Sequence, residues 1–295
     1  MAMGFAVAAL VGTASSSGAA PLIGVAGPST LIGFDSATPG VVESTLAVSG
    51  LGGDQIRGID VRPATGELYA IGQSGTLFTI DTVSGVATAV PGTAVPVCSA
   101  GQGTGFAFNP AVDRIRTTTS ADLNLRSDPT NGATITDGTL AFAAGDANSG
   151  VNPNVSAVAY TNQVAGPVAM TTLFGIDLAS GSLVLHSPPN AGVLVTVGSL
   201  GFSGTAMGSS AGFDIDGGTG AAFASFLGGS GQNGLYSIDL TSGAATFLGA
   251  FGDPGVSDIA FGRLGAVAVP EPASLALFGT ALLGLGMIRR RRSQG

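Results

Sequence analysis

The sequence predicts an all-β fold, a five-bladed β-propeller closed by strands from both termini, with a C-terminal hydrophobic helix after it. Three observations predict this. Of 295 residues, 49 are glycine, 9% are charged, and neither lysine nor tryptophan occurs. Such a chain favours short strands and turns, because glycine weakens helix interiors and exposed helix faces usually carry Lys and Glu. A strand-like unit ending in aspartate recurs five times at the period of a propeller blade, and a second strand-like unit recurs between its copies.

The first unit occupies residues 31–35, 77–81, 124–128, 174–177 and 235–239, ending in Asp35, Asp81, Asp128, Asp177 and Asp239. Gly40, Gly85, Gly132, Gly181 and Gly243 follow at nearly constant distance. The steps between aspartates are about 46, 47, 49 and 62 residues, and a blade takes about 40 to 50. An aspartate just before a glycine turn accepts hydrogen bonds from N–H groups two residues on, so these five are read as turn caps, not metal ligands.

The second unit occupies residues 58–63, 105–110, 157–162, 212–217 and 258–262, each an apolar alternation running into a turn residue. Residues 67–71 and 86–90 complete a first full unit of four strands joined by short turns. Residues 31–48 are expected to supply the third and fourth strands of one blade. Val256 to about Val267 would supply its first and at most its second, so that no sheet edge stays open. The propeller domain is placed at 31–262 and a linker at 263–268. The rival architectures are a β-sandwich and a β-helix. In either, the Gly/Ser-rich stretches 198–212 and 228–234 are surface loops.

The net charge is −8, and residues 289–292 hold four of the ten positive charges, so the rest of the chain carries −12. That balance argues against nucleic acid as a partner. Cys98 is the only cysteine, which excludes an internal disulfide framework and reads as a buried, inert thiol. Residues 1–12 are apolar, and Ser17, Gly18 and Ala19 offer small residues before a cut at Ala20, as in a signal peptide over 1–19. No Lys or Arg precedes the apolar run, and the competing reading is an N-terminal core strand.

At the other end stand Val269, Pro270, Glu271 and Pro272, an uncharged run over 273–288, and Arg289, Arg290, Arg291 and Arg292. As a helix the run reaches roughly 24 Å, short of a bilayer core of about 30 Å. Arginines that snorkel to the headgroups extend it and mark the cytoplasmic side. These residues resemble the PEP-CTERM sorting signal of exported bacterial proteins. The resemblance implies that an exosortase and the secretion machinery handle the chain. It would be held in the membrane by the helix before processing near Pro-Glu-Pro, and delivered to the cell surface or the exopolysaccharide-rich extracellular matrix afterwards. The stretch from Leu31 to Phe261 also resembles an uncharacterised domain family of exported bacterial proteins, which implies a propeller-like fold and brings no activity and no site residues.

Candidate chemistry is thin. His186 is the only histidine, which rules out multi-histidine metal sites, and it is expected on an outer strand as a structural or surface residue. Residues 101–105 have the glycines of a nucleotide loop without its lysine, and read as a turn. If the second unit is the innermost strand of each blade, Asp60, Asp214, Asp216 and Asp258 approach the axis, where carboxylate oxygens hold Ca²⁺ in other proteins. No other cofactor and no catalytic residue is expected. The reading is a non-catalytic binding or structural propeller of unknown ligand; the alternative is a secreted hydrolase, lyase or lactonase using a channel metal, which rests on fold analogy.

Overall fold

The computed structural model describes residues 19–92, 94–96, 103–202, 210–227, 233–253 and 255–265. Strands β1 (Pro21–Val25), β2 (Thr30–Asp35) and β3 (Val42–Ala47) form an antiparallel sheet without an inner strand of its own. The second blade is β4 (Ile56–Val61), β5 (Leu68–Gly72), β6 (Leu77–Ile80) and β7 (Ala87–Ala89). The third is β8 (Thr104–Asn109), β9 (Arg114–Thr119), β10 (Asn124–Ser127) and β11 (Thr134–Thr136). A two-residue strand, β12 (Ala141–Phe142), precedes the fourth blade of β13 (Val155–Tyr160), β14 (Leu173–Asp177), β15 (Ser182–His186) and β16 (Val193–Ser199). The fifth is β17 (Gly212–Ile215), β18 (Ala222–Leu227), β19 (Asn233–Ile238) and β20 (Ala245–Ala250). The last strand, β21 (Ile259–Phe261), pairs with β1 and completes the first blade.

The ring is thus the five-bladed propeller expected, closed by both ends of the chain, but the division of the closing blade differs. The N-terminal segment supplies three strands and the C-terminal segment one. Residues 21–25 form the second strand of that blade, so the body begins ten residues before Leu31. Among the described residues the single helical piece is the 3-10 turn Pro189–Ala191, and no helix is long and apolar enough to cross a membrane. The 273–288 run lies outside the described residues, as do residues 1–18 and Cys98.

Each sheet would leave a face bare by itself, so neighbouring blades cover one another. Between the fourth and fifth, Ile176, Leu183, Phe213, Phe226 and Tyr236 form one buried cluster, with the Phe226 and Tyr236 rings stacked at 4.4 Å. Burying a side chain of this kind stabilises by roughly 1.5 to 3 kcal/mol. Near the axis, small residues let backbones close in. A Cβ on Gly212 would lie 2.5 Å from the Asp258 Cα, so only glycine allows the fifth and first blades to meet there.

The fourth blade departs from the repeat. Elsewhere the Asp-to-Gly turn joins the third and fourth strands, but Asp177 ends the second, because residues 161–172 form no strand. The blade recovers its width from outside: β12 pairs in parallel with β16, as Ala141 with Val193 and Phe142 with Leu194. His186 therefore has two strands beyond it and is 2% exposed, not on the rim.

Candidate functional site

The inner strands carry three of the aspartates singled out by the sequence. Asp60 on β4 and Asp214 on β17 take the same place in their repeats, and Asp258 directly precedes β21; all three are buried. Each reaches the next blade. Asp60 Oδ2 accepts the Phe108 N–H at 2.6 Å, Asp214 Oδ2 accepts the Phe261 N–H at 2.7 Å, and Asp258 Oδ2 accepts the Ile59 N–H at 2.7 Å. The second oxygens of Asp60 and Asp214 accept the N–H groups of Val61 and Ile215. The Gln163 side-chain amide donates to Asp60 Oδ2 at 3.3 Å. Three of the five joints between inner strands are thereby tied by a carboxyl group.

Burial dominates the proton affinity of these groups. It pushes the Asp214 carboxyl up to about 7 against the pull of the Phe261 and Ile215 N–H groups. Asp60 and Asp258 are raised well above the ordinary range by burial, with repulsion from Asp214 adding to it in both. Asp216 is not one of the group. Its Oδ1 accepts the N–H groups of Gly218 and Thr219, capping its own hairpin turn. Among the described residues no three His, Cys, Asp or Glu side chains stand together as a metal site would need.

The joint between the third and fourth blades has Ala107 and Ala159 where its neighbours have aspartate. Buried Arg116 ties it instead, which sequence reasoning missed. Its guanidinium donates to Asn124 Oδ1 at 2.6 Å, Asp137 Oδ2 at 2.7 Å and, across the joint, Asn190 Oδ1 at 2.6 Å. Burial alone would raise the Asp137 carboxyl, but hydrogen bonds from Arg126 and Arg116 hold it below its usual range. Desolvation, with the Arg116 charge adding, pushes His186 down to about 3, and neither ring nitrogen has a hydrogen-bond partner. With no hydroxyl on one ring nitrogen and no carboxylate on the other, this imidazole is not arranged as in a catalytic triad.

On the rim the turn-capping aspartates do what their spacing predicts. Asp35, Asp81, Asp128 and Asp239 accept N–H groups from Ala37, Val83, Thr130 and Thr241. Asp177, one strand nearer the axis, caps Ser180 and also binds the Asn154 N–H. Two open hollows of about 430 and 500 Å³ lie on the second blade. The first includes Asp81, whose Oδ1 is already held by Val83 and Ser84.

The chain leaves the ring tied down. Gly262 N–H donates to Pro21 O at 3.2 Å, Leu264 packs against the cluster containing Ile23, Val25 and Ile59, and Gly265 N–H donates to Thr82 O at 2.7 Å. Residues 263–265, read as linker, are thus held on the first and second blades. Val269, Pro270, Glu271, Pro272 and Arg289 to Arg292 lie outside the described residues.

Two families match. A domain of unknown function, DUF4394, matches residues 30–260, and the PEP-CTERM protein-sorting motif matches residues 268–292. No curated protein matches. Among solved structures, the chain is similar to a structural-genomics protein of unknown function from Bacteroides thetaiotaomicron VPI-5482, at 17% identity over 82% of this chain and 64% of that one, with a TM-score of 0.50. It is also similar to a chain of a nidogen/laminin complex, at 14% identity over 86% and 100%, with a TM-score of 0.46. Myxococcus xanthus glutaminyl cyclase matches at 14% identity over 67% and 77%, with a TM-score of 0.41. At these identities a likeness concerns fold alone.

Proposed function

The chain belongs to the DUF4394 family, and on that premise we propose that it is an exported protein whose propeller is a non-catalytic binding or structural module for the cell surface or extracellular matrix. The sorting motif at 268–292 implies export and processing by an exosortase. In this reading residues 273–288 span the membrane before processing and Arg289 to Arg292 stay on the cytoplasmic side. Cutting near residues 269–272 then frees a ring whose last strand, β21, ends eight residues earlier. Exopolysaccharide is the proposed surrounding.

One observation carries the non-catalytic part. The carboxyl groups nearest the axis are engaged by backbone N–H groups of the next blade, so their chemistry is used in closing the ring. The test is fractionation of the native host with and without its exosortase, with mass spectrometry of the mature C-terminus. Surface-delivered protein is expected to lack residues 273–295 and to accumulate uncut in membranes without the enzyme. Retention of those residues on surface protein would refute processing.

The second reading, a hydrolase, lyase or lactonase with a channel metal, draws on the mutual repulsion of Asp60, Asp214 and Asp258, which a cation would relieve. Calorimetric titration with Ca²⁺ tests the metal on which this second reading depends. No heat and no rise in melting temperature would remove it, and a rise that Asp214→Asn abolishes would support it.

A further inference from the structure

We propose that the tail, before it is cut, holds the propeller with one defined face toward the membrane: the face of the turns joining first to second and third to fourth strands. The opposite face points outward. This rests on the reading of residues 273–288 as a membrane anchor.

Strand direction decides where the chain leaves the ring. β4, β8, β13, β17 and β21 each open a blade at the axis and run the same way, so all of them end at the first-to-second turns. The chain leaves β21 at that end. It then crosses to the third-to-fourth turn of the second blade, where the Gly265 N–H donates to Thr82 O. The contacts of Gly262, Leu264 and Gly265 fix the exit on this face.

The last described contact of the chain with the ring is at Gly265. From there to Ala273, where the apolar run begins, eight residues reach at most roughly 28 Å. A body of about 245 residues has a radius of gyration of roughly 18 Å and a width of about 45 Å. The leash is shorter than the body, so the ring cannot turn over on it.

The two faces also differ in their connections. The face toward the membrane has short turns capped by Asp35, Asp81, Asp128, Asp216 and Asp239, and one long connection, residues 161–172 of the fourth blade. The outward face takes the connections from β7 to β8, β16 to β17 and β20 to β21. Long connections on a rigid scaffold are where binding surfaces vary most readily, and more of them open away from the membrane than toward it.

Single cysteines test this in the full chain, in a host lacking the exosortase and in a background with Cys98→Ser. Val112→Cys and Ala121→Cys stand at opposite ends of β9, and Val83→Cys adjoins the tail's last anchor; all three positions are exposed. The probe is a bulky, membrane-impermeant maleimide-polyethylene glycol applied to the outside. Cysteines at 83 and 112 are expected to react several-fold more slowly than the one at 121 on anchored protein. All three should react alike on mature protein released by an exosortase-competent host. Equal rates on anchored protein, or a difference that survives release, would overturn the orientation. Absence of the uncut protein from the membrane fraction would instead overturn the anchor on which it rests.

Discussion

Aspartate is used at two places in this ring with opposite results. At the axis, Asp60, Asp214 and Asp258 are buried, and burial raises the proton affinity of each. On the rim, Asp81, Asp128 and Asp239 also accept turn or neighbouring N–H groups, but in water. Hydrogen bonds from Ser84, Thr130 and Thr241 hold them below the ordinary range. The hydrogen-bonding pattern is similar in both places; what differs is desolvation. An axial carboxyl group joins two blades, whereas a rim carboxylate acts within its own blade, shaping its turn and, for Asp128, also pairing with Arg114 at 3.3 Å.

The sharpest way to break this contrast is to remove an axial tie. Asp60→Ala leaves the buried Phe108 N–H without its partner and is expected to cost about 1 to 3 kcal/mol in urea unfolding at pH 5. The loss should shrink at pH 8, where the wild-type carboxyl is itself costly to keep buried.

Next in size is the pH dependence. A carboxyl raised in the folded state keeps a proton that the unfolded chain releases, so stability falls as pH climbs from about 4 through about 7 for Asp214, and the other two act in the same direction. His186 acts oppositely. Held down to about 3, it stays neutral while the unfolded chain takes up a proton below about 6.5, so it costs stability on acidification there. Above 6.5 only the axial carboxyls remain. The urea midpoint should therefore drop between pH 6.5 and 8, and Asp214→Asn should flatten that drop.

The smallest effect belongs to the rim. Asp81→Ala removes a cap whose contribution is present above the ordinary carboxylate range and fades as pH falls through its lowered value. The urea midpoint at pH 7 should move less than for either axial variant, and the fall between pH 6.5 and 8 should persist unchanged. A change as large as that of Asp60→Ala would erase the distinction drawn between axis and rim.

Much of the ring was legible because the repeat is local. An apolar strand, an aspartate and a glycine lie within ten residues of one another, and Gly85 sits at φ 74° as such a turn requires. What escaped was set by distance. The partners of Asp60, Asp214 and Asp258 lie 48, 47 and 199 residues away, so their place was readable and their use was not. Arg116 gave no signal, since nothing local distinguishes a buried arginine from an exposed one before Asn190 is brought beside it. Residues 21–25 lack the aspartate-glycine pattern and follow the apolar stretch 1–12 closely, which hid the second strand of the closing blade. The shift of Asp177 by one strand had a sequence trace in the 62-residue step after it, but β12 is too short to leave one.

The position of β21 also bears on timing. Synthesis and export both run from the N-terminus, so β1, β2 and β3 emerge first and then wait for their axial neighbour while four complete blades follow. During that interval the edge of β1 is unpaired, and no arrangement of the earlier residues can close the circle. Closure becomes available only when residues 259–261 are free, a few residues before the sorting motif. The chain therefore finishes its fold at almost the moment its address label comes into play, and a product truncated before residue 259 would carry neither a closed ring nor the label.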